Sequence, residues 1–339
     1  MKGKCIIAAK RVSRKILSQM GGDGPAAKIV AIFERSFLLE TGKGFLAHIG
    51  THRLSLTPRS ILIPEADYHR QVVLQITLSQ PVYFTDEGIE WRDLPLAISI
   101  APAEVVDLQF FRGQRFLPGA VILENLNQAM AEAKRSRGDR RDVSPLSDYF
   151  LSGGTFNGIR RQEPKPPRSS PFSKGQGPWF DRSEFWDRID HLCRMVRETH
   201  GEDIAESLRG LIGFGPGLTP SGDDFLAGFI SAGIAVSRAW PGVEGIAEKM
   251  AETALREAAG RTTTVSMAML EDARQGEMSE PMISFLDIVL ITGEMKRVPS
   301  IMEEILSIGA SSGEDQLNGL ATGIRFFGEL AVSLEAHRT

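Results

Sequence analysis

The sequence is poor in the residues that carry the commonest site chemistries. Of its 339 residues only Cys5 and Cys193 are cysteines, which is too few and too far apart for a disulfide framework or a thiolate metal cage. Six histidines contain no HExxH pattern, so zinc chemistry of that kind is not expected. No glycine run is followed by the Lys-Ser/Thr of a phosphate-binding P-loop, and no GxGxxG opens a strand–helix–strand unit. No apolar run reaches the ~18 residues that a membrane helix needs, and Met1–Met20 alternates basic with apolar residues without the apolar core of a secretory leader. The expectation is a soluble, cytoplasmic protein without a membrane partner. With 42% hydrophobic residues, disorder is excluded for the bulk of the chain.

Charge is unevenly spread. The formal net charge is −4, yet residues 191–339 alone hold 12 Lys/Arg against 22 Asp/Glu, a net −10. An acidic half of that size repels polynucleotides, so no nucleic-acid partner is expected. The basic run Lys134, Arg135, Arg137, Arg140 and Arg141 reads as a solvated loop or a frayed helix end.

Hydrophobic period divides the chain. Short β-rich runs recur at 28–33, 36–40, 44–49, 71–78, 82–85 and 96–100, separated by turn residues such as Gly42-Lys43-Gly44, Pro81 and Asp86-Glu87-Gly88. Met1–Met20 looks helical. From 129 to 181 the pattern gives way to charge, glycine and proline, with Pro164, Pro166, Pro167 and Pro171 close together. Beyond it, period 3.6 takes over, with Phe185, Ile189, Leu192 and Val196 on one stripe and Leu317, Leu320, Ile324, Phe327 and Leu334 on another. The expected fold class is α+β. An N-terminal antiparallel β barrel or sandwich with a leading helix (1–128) is followed by a flexible Pro/Gly/charged linker or flap (129–181). A mostly helical domain of six to eight helices (182–339) completes the chain.

The most informative stretch is GFGPGLTPSGDDFLAG, residues 213–228. Gly213, Gly215 and Gly217 stand at every second position, where backbone can take positive φ and approach a ligand with no Cβ in the way. Leu218, Thr219 and Pro220 then lead into an apolar helix. Amides of a glycine loop at a helix N-terminus form a site for an anion. Ser221-Gly222-Asp223-Asp224-Phe225-Leu226-Ala227-Gly228 is echoed 91 positions on by Ser312-Gly313-Glu314-Asp315-Gln316-Leu317-Asn318-Gly319. In both copies a serine stands three residues before an aspartate, the spacing of a capping box. Ser221 with Asp224 and Ser312 with Asp315 are therefore expected helix caps, each worth about 1 kcal/mol. The second copy lacks the glycine loop, so the loop is the better candidate for ligand contact, and the two helix starts are expected to face one another across a common pocket.

With Asp224 read as a cap, Asp223 is left as the candidate functional carboxylate. Its readings are a first-turn dipole partner, a general base or receiver of substrate N–H groups, and a magnesium ligand. No other cofactor is implied. In Arg261-Thr262-Thr263-Thr264-Val265-Ser266, hydroxyls suit a helix cap. Alternatively, Arg261 could hold a carboxylate or phosphate by its planar fork while Thr263 or Ser266 donates a hydrogen bond. His48 and His52 read as satisfied surface histidines, and no Ser-His-Asp or Cys-His arrangement is visible.

The run GFGPGLTPSGDDFLAG, with the later TTTVS and SGEDQLNG segments, resembles a bacterial family long catalogued as a domain of unknown function and typified by the H subunit of oxamate carbamoyltransferase from anaerobic allantoin degradation. The resemblance covers mainly residues 205–325. It implies a transferase role in purine catabolism, interconverting oxalurate plus phosphate with oxamate plus carbamoyl phosphate, as one subunit of a hetero-oligomeric enzyme. Phosphate or carbamoyl phosphate would suit Gly213, Gly215, Gly217, Leu218, Thr219, Ser221 and Gly222, while ureido N–H groups would suit Asp223. The oxalurate carboxylate would suit Arg261, with Thr263, Ser266, Asp224, Ser312, Gly313 and Asp315 completing the pocket. The alternative is a non-catalytic small-anion binding or regulatory protein of nitrogen catabolism.

Overall fold

A computed structural model describes residues 4–20, 26–110, 115–137, 182–199 and 204–336. Most of the stretch expected as a linker therefore lies outside the described residues, as do Arg140 and Arg141. The chain divides into two compact units, Met1–Gln109 with Met278–Glu280 and Phe110–Glu277 with Pro281–Thr339.

The first unit is one curled, mixed sheet of ten strands, the half-barrel counterpart of the expected β-rich half. Its strands are β1 (Cys5–Ala8), β2 (Arg11–Ser13), β3 (Ala26–Ile32), β4 (Ser36–Thr41), β5 (Leu46–Thr51), β6 (Ser60–Ile63), β7 (Pro81–Thr85), β8 (Gly88–Glu90), β9 (Leu96–Ser99) and β10 (Glu104–Val106). The sheet order is β1-β9-β8-β7-β3-β4-β5-β6-β2-β10. Most ladders are antiparallel, as the turn-separated runs imply, but β1 with β9, β2 with β10 and β5 with β6 pair in parallel. β1 and β2 are almost continuous in the chain yet lie near opposite ends of that order, so the sheet curls back towards itself through Ala9 and Lys10.

Three expectations need correction in this unit. The leading segment is chiefly strand, with only the single turn α1 (Arg14–Leu17) helical. Ile7 and Ala9 point inward while Lys4 and Lys10 are exposed, so its basic background is the outer row of an alternating strand. Residues 71–78 form no strand. Tyr68, Val72 and Ile76 are buried at intervals of four, while Leu74 and Leu78 are 77% and 62% exposed, and the chain runs from a short helix α2 (Glu65–Asp67) into a π-helical turn at Tyr68–Val72. Finally, His48 sits on β5 with Nδ1 3.1 Å from Ser60 Oγ, and burial pushes its pKa down to about 4. It is a neutral interior imidazole, whereas His52 accepts the Glu65 amide at 3.2 Å. Phe37 anchors the core against Tyr68 and Trp91, with ring centroids 6.4 and 6.1 Å away.

The second unit is helical. It contains α3 (Gly119–Arg137), α4 (Arg182–Thr199), α5 (Ala205–Leu211), α6 (Ser221–Ala239), α7 (Glu244–Ala258), α8 (Thr264–Arg274), most of α9 (Glu280–Asp287), α10 (Val298–Leu306) and α11 (Ser312–Ala336). α3 continues past residue 128 through Lys134 and Arg135, so this part of the basic run is the end of a helix, where Arg135 pairs with Glu132. The stripe Phe185, Ile189, Leu192 and Val196 is fully buried on α4. α6 is central: every residue from Ser221 to Ser237 is buried.

α6 and α11 lie side by side and parallel, brought together by glycine. A Cβ on Gly228 would meet Gln316 O at 2.1 Å and Leu320 N at 2.8 Å; on Gly319 it would meet Phe225 O at 2.1 Å and Phe229 N at 2.9 Å. These contacts are reciprocal under the 91-residue shift, so the sequence echo is a structural pseudo-two-fold. The repeat extends upstream. Gly222 packs against Leu211 O and Phe214 Cβ, and Gly313 against Ile305 O and Ile308 Cβ. Each unit of the repeat is thus a helix, a turn, a loop and a long helix whose first glycine touches the end of the preceding one.

Candidate functional site

Between Phe214 and Gly222 the first copy has three more residues than the second has between Ile308 and Gly313, and these belong to the glycine loop. Gly213, Gly215 and Gly217 have φ of 71°, 111° and 108°, as the alternate spacing requires. The base of the loop is fixed. Phe214 stacks on Phe185 with centroids 5.4 Å apart, and the Arg188 guanidinium lies 4.2 Å from the centre of the Phe214 ring. The Gly222 amide donates to Phe214 O at 2.8 Å. The tip is open: Pro216, Gly217 and Leu218 are exposed. Among the described residues, the amides of Gly215, Gly217, Leu218, Thr219 and Ser221 donate to no backbone carbonyl.

The turn between α7 and α8 supports the loop from the side. Gly213 lies so close to Arg261 that a Cβ would come within 2.7 Å of its carbonyl oxygen, and the Thr263 hydroxyl donates to Leu218 O at 2.7 Å. Thr263 is also the N-cap of α8, accepting from the Ser266 amide at 3.1 Å. The cap reading of this hydroxyl cluster is therefore what the structure shows, and the cap is tied to the loop. The Arg261 side chain is exposed on the same turn, with Glu257 within range of its charge.

Asp223 and Asp224, both 0% exposed, face different partners. Asp223 Oδ1 accepts the Gly213 amide at 2.8 Å, and its Oδ2 accepts the Thr262 hydroxyl. It therefore stitches both ends of the loop and the α7–α8 turn to the first turn of α6. Thr262→Val should leave the fold standing at a cost of about 1–3 kcal/mol, the penalty for stripping a buried carboxylate of one donor. Urea denaturation would read it, and an unchanged midpoint would show that the brace is idle.

Asp224 is not the expected cap. α6 starts after Pro220, which has no side-chain acceptor, and no side-chain cap bond forms. Asp224 instead turns to α11, where Gln316 Nε2 donates to its Oδ1 at 2.9 Å. Its Oδ2 is buried and makes no hydrogen bond of ordinary geometry, although the nearby Ser312 and Thr219 hydroxyls favour its charged form. Burial outweighs them and raises the pKa to about 6, with Asp223 adding like-charge repulsion. Ser312 Oγ and Thr219 Oγ1 are 2.8 Å apart, so the residues that lead into the two helices meet directly through their hydroxyls.

Loop, carboxylates, α7–α8 turn and the start of α11 thus come together. Asp315, buried at the equivalent of Asp224, and Gly313, pressed on α10, shape the second helix start. Thr262 and Gln316 lie outside the site residues expected from the sequence. Thr262 stands inside a hydroxyl run whose cap and ligand readings rest on Arg261, Thr263 and Ser266, and Gln316 replaces Phe225 in an otherwise similar repeat, a polar-for-aromatic exchange that is the available signal. Among the described residues, no group of three or more His, Cys, Asp or Glu side chains could hold a metal ion, and no helix is long and apolar enough to cross a membrane.

By its geometry this is a glycine-rich loop whose amides lack backbone acceptors, set at the start of a buried helix. Residues 211–324 match the family model described as oxamate carbamoyltransferase subunit AllH, which supports the resemblance read from the glycine motif. The matched stretch runs from the end of α5 into α11 and includes both copies of the repeat. No solved structure matches the chain.

Proposed function

We propose that the chain is a subunit of an oxamate carbamoyltransferase-type enzyme, with the 213–222 loop as its seat for phosphate or carbamoyl phosphate. One observation carries the reading: a run of amides without backbone acceptors, on an exposed loop, at the positive end of a long buried helix. Carbamoyl transfer asks the protein mainly to hold two anions in reach of one another and to present fixed donors to the oxygen that gains charge. The loop amides supply such donors, and the exposed Arg261 supplies a fork for the carboxylate of oxamate or oxalurate. Asp223 keeps the loop in shape; to receive a ureido N–H it would share the oxygen now bonded to Thr262. Other subunits complete the catalytic assembly.

A second reading has its own support. Because both oxygens of Asp223 are engaged inside the fold, a non-catalytic subunit that binds a small anion and regulates its partners also fits. Titration calorimetry with phosphate, carbamoyl phosphate, oxamate and oxalurate tests the shared element, for which saturable binding of at least one phosphate compound is expected. A carbamoyl-transfer assay with and without the partner subunits separates the two. Turnover that depends on this chain and falls with Arg261→Ala supports the enzyme reading, whereas turnover by the partners alone, modulated by this chain, supports the regulator.

A further inference from the structure

The repeat places a buried acid where the two helix starts touch, and the anion reading alone gives it no task. Resting on that reading, we propose that Asp224 is a positioning residue whose proton sets the direction of a hydroxyl relay, Asp224 to Ser312 to Thr219, so that Thr219 offers a donor to a bound anion only when Asp224 is protonated. The geometry is specific. Asp224 is fully buried, its Oδ1 is held by Gln316, and its Oδ2 lacks a hydrogen bond. The Ser312 and Thr219 hydroxyls are near enough to favour its charged form and lie 2.8 Å from one another, and Thr219 belongs to the loop whose amides have no backbone acceptor.

Each hydroxyl has one proton to give. With Asp224 ionised, the Ser312 hydroxyl turns its proton towards the unpartnered Oδ2 and Thr219 donates to Ser312, so Thr219 turns a lone pair towards the loop, which repels an anion. With Asp224 protonated, Oδ2–H donates to Ser312, Ser312 donates to Thr219, and the Thr219 proton is released towards the ligand. Anion binding then takes up one proton from solvent, at Asp224. The charged group that acts on the acid is Asp223 on its own turn, while α11 contributes Gln316 and α8 contributes Met269 through Gln316. No cation is among the groups that act on it, and burial holds its pKa near 6, inside an accessible range.

The probe is sulfate, which keeps its charge between pH 5 and 8, titrated calorimetrically into the full chain. Wild-type affinity is expected to fall about tenfold or more across that range, the equivalent of one hydrogen bond turned from donor to acceptor. Asp224→Asn, whose amide donates permanently to Ser312, should bind at pH 8 about as tightly as the wild type at pH 5, without pH dependence. It removes a buried charge, so the variant should fold. Thr219→Val should bind weakly at both ends of the range. Sulfate binding that does not vary with pH in the wild type, or full pH dependence surviving in Thr219→Val, would overturn the relay while leaving the anion loop intact. Absence of binding by sulfate, phosphate and carbamoyl phosphate at every pH would instead overturn the anion reading and the relay with it.

Discussion

Gly228→Ala is expected to destabilise the helical unit by about 3 kcal/mol or more, the upper end of overpacking costs. Alanine is the better helix former, by about 1 kcal/mol, so propensity alone predicts the opposite sign. Contact decides. The new methyl would come 2.1 Å from Gln316 O and 2.8 Å from Leu320 N, and backbone in the middle of a buried helix cannot swing aside as a side chain would. Gly319→Ala should behave alike, because it meets Phe225 O at 2.1 Å. Gly328→Ala, on the same α11 but with nothing within 4 Å of its Cβ, is the control and should be neutral or stabilising by about 0.5–1 kcal/mol. Urea denaturation followed by circular dichroism reads all three. Equal midpoints for Gly228→Ala and Gly328→Ala would mean that the two helices do not meet at their glycines.

The second large effect is on binding rather than stability. Gly217→Val places a β-branched residue at φ 108°, a conformation costing on the order of 1–3 kcal/mol for a residue with a Cβ. The position is exposed, and its closest neighbour would be Thr219 O at an ordinary 3.7 Å. The cheapest escape is a flipped peptide at the loop tip, which leaves α6 in place and turns the amides of Gly217 and Leu218 away. Phosphate affinity should fall at least a hundredfold with little change in unfolding midpoint. An unaltered affinity would detach the loop from ligand binding, and a collapse in stability would show the loop to be structural.

The separate fates of these two glycines show how far the chain can be read. Positive φ at 213, 215 and 217 was legible because alternate glycines before a helix start have few other uses. The echo at 312 was legible as a repeat. What it meant was not: Gly228 packs on the backbone of Gln316 and Leu320, and Gly319 on that of Phe225 and Phe229, a tertiary relation that a one-dimensional pattern leaves unpaired. The aspartates exchanged expected parts for the same reason. Ser-x-x-Asp spacing suggests a cap, but Pro220 occupies the capping place, and the direction in which Asp224 points is set by Gln316 on a helix far along the chain. In the β half, runs such as 36–40 and 82–85 gave their strands away, while residues 5–13 did not. Lysine and arginine on the outer row masked a period of two, and the parallel pairing of β1 with β9 has no local signal at all. Residues 71–78 are rich in β-favouring types, but the buried positions Tyr68, Val72 and Ile76 follow a helical interval. Packing overrode propensity there.

The measurement closest to the centre of the account is an amide-resolved titration of the isotopically labelled chain with phosphate and with carbamoyl phosphate. The largest saturable shifts are expected on the amides of Gly215, Gly217, Leu218, Thr219 and Ser221, with one common affinity. Saturable shifts confined to other parts of the chain, with those five amides unmoved, would contradict it.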